Sequence, residues 1–212
     1  MQIISHRGYW LTPGEKNTAT AFKRSFGLGY GTETDIRDCA GKLVISHDMP
    51  IGNELTVEEM LVIYKEIACQ APLALNIKSD GLQAPIKKLL EQYNITNYFL
   101  FDMAVPDAIE SLKAGLVCYT RQSEYEREPA FYKQATGIWL DEFYEDWITL
   151  DKLQQHLNNN KTLCIVSPDL HKRDPIHKWK QYKQLNASYD LSNVTLCTDL
   201  PEKGEEFING KN

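Results

Sequence analysis

The sequence is poor in the features that mark several large protein classes. Its five cysteines are an odd number and include no Cys-x-x-Cys pair. Neither a disulfide framework nor a cysteine-rich zinc site is therefore encoded. Cys118, Cys164 and Cys197 fall in apolar, strand-like runs and Cys69 near a helix end, the pattern of reduced packing residues. No apolar run reaches the length of a membrane span. Met1 leads straight into the short run Gln2–Ser5, without the basic and apolar regions of a secretory signal, so a cytoplasmic location is expected. Positive charge is not in excess: 23 Lys and Arg stand against 29 Asp and Glu, a formal net charge of −6. That balance argues against a nucleic-acid surface. There is no glycine-rich nucleotide fingerprint, low-complexity tract, sequence repeat or long linker.

What is present is a rhythm. Short apolar runs of strand length alternate with longer amphipathic stretches. The runs are Gln2–Ser5, Gly31–Ile36, Leu73–Ile77, Tyr98–Phe101, Leu116–Thr120, Gly137–Leu140, Thr162–Val166 and Val194–Cys197, each followed by a helical segment. The first helix is expected from an Asn17 cap and the second from Thr56, which with Glu59 forms a capping-box pattern. A short helix is expected around Glu128–Gln134, and others from Thr149, from Asp174-Pro175 and from Pro201. Lys42–Ser46 reads as a strand-like extension after a turn. Eight units in 212 residues give about 26 residues each, near the lower limit of a (β/α)8 TIM barrel. An open, doubly wound sheet shows the same alternation, but the unit count and the missing nucleotide fingerprint favour the barrel. The expectation is one small α/β domain spanning residues 1–212.

In such a barrel, chemistry sits where strands end. His6-Arg7-Gly8 follows the first strand, and His47-Asp48 follows the extension. Asn76 and Lys78 end the third strand. Trp139 shares a strand face with Asp141, placing an aromatic wall beside a carboxylate. Asp102, Arg121, Asp169 and Asp199 read as loop residues that cap helices or meet water. Arg37 with Asp38 reads as a surface turn pair. His156, His171 and His177 read as exposed. Glu33 and Asp35 are harder to dismiss. Two apart on a strand, they face the same way, roughly 6–7 Å apart. Two inward carboxylates repel and resist ionisation unless cations, protons or a metal offset them. Mg²⁺ or Ca²⁺ suits an oxygen set to which Asn76 adds an amide oxygen. His6 and His47 are of the right type for acid–base work, and Arg7 and Lys78 for holding an anion such as phosphate.

The segment ISHRGYW…GEKNTATAF…GYGTETDIRDCAGKLVISHD resembles the glycerophosphodiester phosphodiesterase family. That family's pattern is H-R-G, P-E-N-T with A-F, E-x-D, and D-G-x-x-V-x-H-D. The match covers residues 3 to about 48 and continues more weakly through LALNIK, residues 73 to 78. The resemblance implies a (β/α)8 barrel and metal-dependent hydrolysis of a small glycerol-type phosphodiester. It implies His6 and His47 as the acid–base pair, Arg7 and Lys78 on phosphate, and Glu33 and Asp35 on the metal. Three positions depart from the pattern. Asn76 stands where the family has a glutamate ligand, which leaves Asp141 or Asp102 to compensate. The second motif reads Pro-Gly-Glu-Lys-Asn-Thr, so Glu15 or Asn17 takes its role, and Glu15 joins the expected substrate-binding residues. The D-G turn is Ala40-Gly41. Two other functions are consistent with these residues: a barrel that binds a phosphorylated ligand without turnover, and a metal hydrolase acting on another bond type.

Overall fold

The computed structural model describes residues 1–210. The elements, in chain order, are β1 (Gln2–His6), α1 (Ala19–Gly27), β2 (Gly31–Cys39), β3 (Lys42–Ile45), α2 (Val57–Glu66), β4 (Leu73–Ile77) and α3 (Gln83–Gln92). They continue with β5 (Tyr98–Phe101), α4 (Val105–Lys113), β6 (Tyr119–Gln122), β7 (Gly137–Leu140) and α5 (Leu150–Asn158). The last are β8 (Thr162–Val166), α6 (Ile176–Ser188), β9 (Val194–Thr198) and α7 (Pro201–Asn209). The fold is a (β/α)8 barrel of parallel strands, with β3 as the added strand. The alternation of the sequence predicts this.

Two compact units make up the chain. The first, His6–Cys118, contains β2, β4 and β5 in parallel, with β3 antiparallel on β2. The β2–β3 hairpin turns through Ala40 and Gly41, whose φ values of 48° and 79° are both left-handed. That is the conformation a two-residue type I′ turn needs. The core of this unit packs Phe22 and Phe26 of α1 and Leu61 and Tyr64 of α2 against Ile36, Leu73 and Leu75. Each buried side chain of this size contributes about 1.5–3 kcal/mol. The second unit, Met1–Ser5 with the chain from Tyr119 onward, pairs β1, β9, β8, β7 and β6 in parallel. Trp179 of α6 is buried there and donates to the Ser167 hydroxyl at 3.0 Å. Lys178 and Glu142 form a buried ion pair at 2.7 Å.

Several local expectations need correction. Thr18, not Asn17, caps α1, its hydroxyl accepting from the Ala21 N–H. Asn17 instead takes a left-handed φ of 59°. The Thr56–Glu59 capping box forms as its pattern predicts. Residues 128–134 form turns rather than a helix. The fifth strand, expected at Leu116–Thr120, starts at Tyr119 instead. Leu116 is claimed by the end of α4, where Gly115 adopts φ 77° and the Leu116 N–H bonds back to the Ser111 carbonyl at 3.1 Å. This is the Schellman closure of a helix.

Candidate active site

The site is built from residues of the His6–Cys118 unit. β1 ends at His6, and the chain then turns through Arg7 and Gly8 with φ of 59° and 78°. The Arg7 N–H donates to the Glu33 carbonyl and the Gly8 N–H to the Thr32 hydroxyl, both at 2.8 Å. A Cβ on Gly8 would stand 2.7 Å from the Cβ of Ala21. The glycine of the H-R-G motif is therefore required by the close approach of α1 as well as by its backbone angle. This bonded turn aims Arg7 at β2.

On β2, Glu33 and Asp35 are both almost fully buried. Asp35 lies in register with Asn76 of β4. The Asp35 carboxylate is 3.0 Å from Arg7 Nε, 3.5 Å from Lys78 Nζ and 3.0 Å from the Asn17 side-chain amide. Glu33 Oε2 lies 3.8 Å from His6 Nε2, beyond hydrogen-bond length. Burial and the neighbouring Asp35 charge push the Glu33 carboxyl up to about 7, against the partial opposition of His6, Arg7 and Lys78. The Asn76 amide nitrogen donates to Asp102 at 3.2 Å, which leaves its oxygen as the other face of the amide. Three buried oxygens consequently have no hydrogen-bond partner: Glu33 Oε2, Asp35 Oδ1 and Asn76 Oδ1. An orphaned buried acceptor costs about 1–3 kcal/mol. Two carboxylates and an amide are hard oxygen donors, and the residues present fit Mg²⁺ or Ca²⁺. Among the described residues, no three His, Cys, Asp or Glu side chains cluster as metal ligands. The third donor on offer here is the amide of Asn76.

Two contributors are ones the sequence reading undervalued. Asn17 reaches Asp35 with its amide nitrogen and accepts from the Thr34 hydroxyl at 2.9 Å with its oxygen. Its own N–H bonds the Arg7 carbonyl at 2.8 Å. Glu15, the other candidate from that motif, is turned to Arg24 and to the Leu11 N–H, both at 2.8 Å, and holds its own loop. Arg37, read as a surface turn residue, clasps the His47 carbonyl at 3.2 Å and the Lys78 carbonyl at 3.2 Å. Its place in E-x-D-x-R, on the same strand face as the carboxylates, was the available signal. His47 is half-exposed, with Nδ1 at 2.8 Å from Asp48. A cavity of about 570 Å³ is lined by Arg7, Lys16, Asn17, Ser46, His47 and Asn53 among others.

Trp139 and Asp141 belong to the other unit. Trp139 is buried on β7. Asp141 is buried and pairs with His171 Nε2 at 2.6 Å, and this bond raises the imidazole's pKa. His171 is therefore half-buried and partnered rather than a free surface histidine. Asp169, expected at a cap or in water, is tied to Ser167, to Thr198 at 2.9 Å and to the Asp199 N–H at 2.8 Å. His156 departs most from expectation, being 4% exposed. It bridges the Gln122 side-chain amide oxygen at 2.9 Å and the Tyr132 hydroxyl at 3.0 Å. The turns that replace the expected helix at 128–134 cover it. Burial pushes its pKa down to about 4.

No family model and no curated protein sequence matches the chain. Solved structures do. A protein from Galdieria sulphuraria assigned as a glycerophosphodiester phosphodiesterase superimposes with a TM-score of 0.76 at 18% identity, over 98% of this chain and 97% of that one. The glycerophosphodiester phosphodiesterase of Agrobacterium tumefaciens gives 0.72 at 14% identity, over 99% of this chain and 100% of that one. An Oleispira antarctica phosphodiesterase, in complex with its product sn-glycerol-3-phosphate, gives 0.68 at 16% identity, over 99% of this chain and 97% of that one. Over nearly its whole length, this chain has the fold of glycerophosphodiester phosphodiesterases.

Proposed function

We propose that the protein is a divalent-metal-dependent phosphoric diester hydrolase acting on a small glycerophosphodiester-like substrate. The observation that carries this reading is the trio of buried oxygens on Glu33, Asp35 and Asn76 that accept no hydrogen bond, set beside Arg7 and Lys78. Glu33, Asp35 and Asn76 would hold Mg²⁺ or Ca²⁺, which when bound supplies Lewis-acid stabilisation of phosphoryl charge. Arg7 and Lys78 bring two positive charges to the same carboxylate and are the donors for the non-bridging phosphate oxygens. Asn17 fixes one oxygen of Asp35 and keeps the other for the cradle. His6 and His47 divide the proton transfers. One takes the proton of the attacking hydroxyl, and the other protonates the departing alkoxide. With Nδ1 turned to Asp48, His47 presents Nε2 for this work. Water as the attacker gives direct hydrolysis, whereas a hydroxyl of the substrate gives a cyclic phosphate first.

The five cysteines are all free, and no helix among the described residues is long and apolar enough to cross a membrane. Asn76 favours one second reading, a barrel that binds a phosphorylated ligand without turnover, because the cradle carries one charge fewer. Phosphorus NMR of the purified protein with glycerophosphodiesters and Mg²⁺ or Ca²⁺, with and without chelator, separates the two. Turnover lost with chelator and in His6→Ala supports the enzyme. Turnover that survives both sinks the mechanism, and metal binding without turnover across a broad diester panel selects the binding-only reading.

A further inference from the structure

The cavity of about 570 Å³ has walls that the chemistry above leaves unused. Arg7, Asn17 and His47 line it, so it shares these groups with the proposed phosphate site. Its remaining polar wall brings Lys16 and Thr18, at the start of α1, together with Ser46 and Asn53 of the segment after β3. All of these residues belong to the His6–Cys118 unit. Three carboxylates also stand on the wall, and each is turned to its own segment. Asp48 pairs with His47 at 2.8 Å. Glu54 accepts from the Ile51 and Gly52 N–H groups at 2.6 and 2.9 Å. Glu59 accepts from the Thr56 N–H and hydroxyl at 2.8 and 2.7 Å. Among the described residues, none of the three is paired with Lys16. The Lys16 ammonium lies instead 4.4 Å from the centre of the Trp10 ring, which gives a long side chain a resting place. The Ser46 hydroxyl donates to the Asp48 carbonyl at 2.8 Å and keeps its lone pairs for a donor. The exposed Asn53 amide carries donors and an acceptor.

We propose that this cavity receives one alcohol arm of the diester and selects a neutral, polyhydroxylated arm, with Lys16 and Asn53 setting the preference. The inference rests on the phosphodiesterase reading and names a substrate class within it. Hydroxyls both donate and accept, and the wall offers partners of both kinds: the Lys16 ammonium, the Asn53 amide and the Ser46 hydroxyl. An ammonium-bearing arm would meet the like charge of Lys16, and each carboxylate in reach is already bonded. A base or other aromatic arm needs a ring to stack on. Among the described residues, no aromatic side chain lines the cavity. An acyl arm needs an apolar wall, whereas Ala19, Ile45 and Leu55 are a minority of the lining. The volume of about 570 Å³ lies within the range of small-ligand pockets and admits an arm as large as a cyclitol. A site that hydrogen-bonds hydroxyls discriminates well, because an analogue without them leaves its polar groups unpaired.

The test uses four methyl phosphodiesters whose other arm is glycerol, inositol, ethanolamine or choline, so that only this arm varies. With the full chain and Mg²⁺ or Ca²⁺, kcat/KM is expected to be about tenfold higher for the two polyol arms than for the two ammonium arms. Lys16→Ala and Asn53→Ala should each lower the polyol values about three- to tenfold, raising KM more than they lower kcat. Lys16→Arg should keep the preference, and Lys16→Glu should shift it towards the ammonium arms. A merely structural role would change all four substrates alike. Titrating the same diesters while following the amide signals of Ser46 and Asn53 reads binding without turnover. Polyol-selective shifts with no turnover of any diester would sink the phosphodiesterase reading and still support the cavity assignment. Ammonium arms equal or preferred, shifts absent or unselective, or folded Lys16 and Asn53 variants that alter all four substrates alike overturn it.

Discussion

Replacing Glu33 with glutamine removes a charge that the fold buries at a cost, and the cost can be read without any substrate. The Glu33 carboxyl is 2% exposed and shares a strand face with Asp35. Its folded-state pKa lies at about 7, against an ordinary value of 4.5. A carboxyl raised in the folded state stabilises the protein fully below the unfolded-state pKa. That contribution is lost as pH rises through the folded-state value. The interval corresponds to about 3 kcal/mol. Metal-free protein should therefore lose about that much stability to urea between about pH 4.5 and pH 7.5, and Glu33→Gln should not. The difference between the two proteins is the quantity to follow, because His156, outside this cluster, contributes to both profiles alike. Adding Mg²⁺ or Ca²⁺ above neutral pH should return the lost stability to the native protein and give little to the variant. Parallel pH profiles for the two proteins would refute the placement of Glu33 in a charged, metal-seeking cradle.

Four further outcomes are expected. The His156 imidazole, held near 4 by burial, should cost about 3 kcal/mol as pH falls from about 6.5 towards 4, because only the unfolded chain then takes up a proton; a His156→Gln variant should show a flatter urea profile over that range. Gly8→Ala should lower stability by about 2–4 kcal/mol, since the new methyl meets Ala21 on a left-handed backbone; thermal unfolding measures it. Lys178→Met should cost about 3–5 kcal/mol by leaving the Glu142 carboxylate buried and uncompensated, whereas the double variant with Glu142→Leu should recover most of it. Asn76→Glu alone would set a carboxylate against Asp102, so calorimetry should show a larger gain in divalent-metal affinity when it is combined with Asp102→Asn, by about tenfold.

The parts of this molecule legible in its sequence are those fixed by short-range rules. Strands β4, β5, β7 and β8 match their apolar runs at both ends, because Pro72 and polar residues bound them. The capping box at Thr56 and the cap at Thr149 are local hydrogen bonds, and both form. Where tertiary bonds decide, the sequence misleads. Asn17 looks like a helix cap, but its amide serves Asp35 and Thr34, a choice that depends on β2 lying beside it. His156 looks exposed among Lys, Gln and Asn, yet the turns after β6 fold over it. The alternation of Glu33, Asp35 and Arg37 on one face was visible, but the clasp Arg37 makes on His47 and Lys78, just past β3 and β4, required the hairpin.

The cradle draws every group from residues 6–102, within one unit. One consequence is a partition of mutational risk along the gene. Among the described residues, the side-chain partners of Asp35, Glu33 and Asn76 are Arg7, Asn17, Lys78, His6 and Asp102, and none of these lies in the loops after β6, β7 and β8. Substitutions there can therefore accumulate while the bonds around Asp35 and Asn76 stay as they are. The same partition accounts for a motif resemblance crowded into the first third of the sequence, with only the element rhythm persisting beyond it.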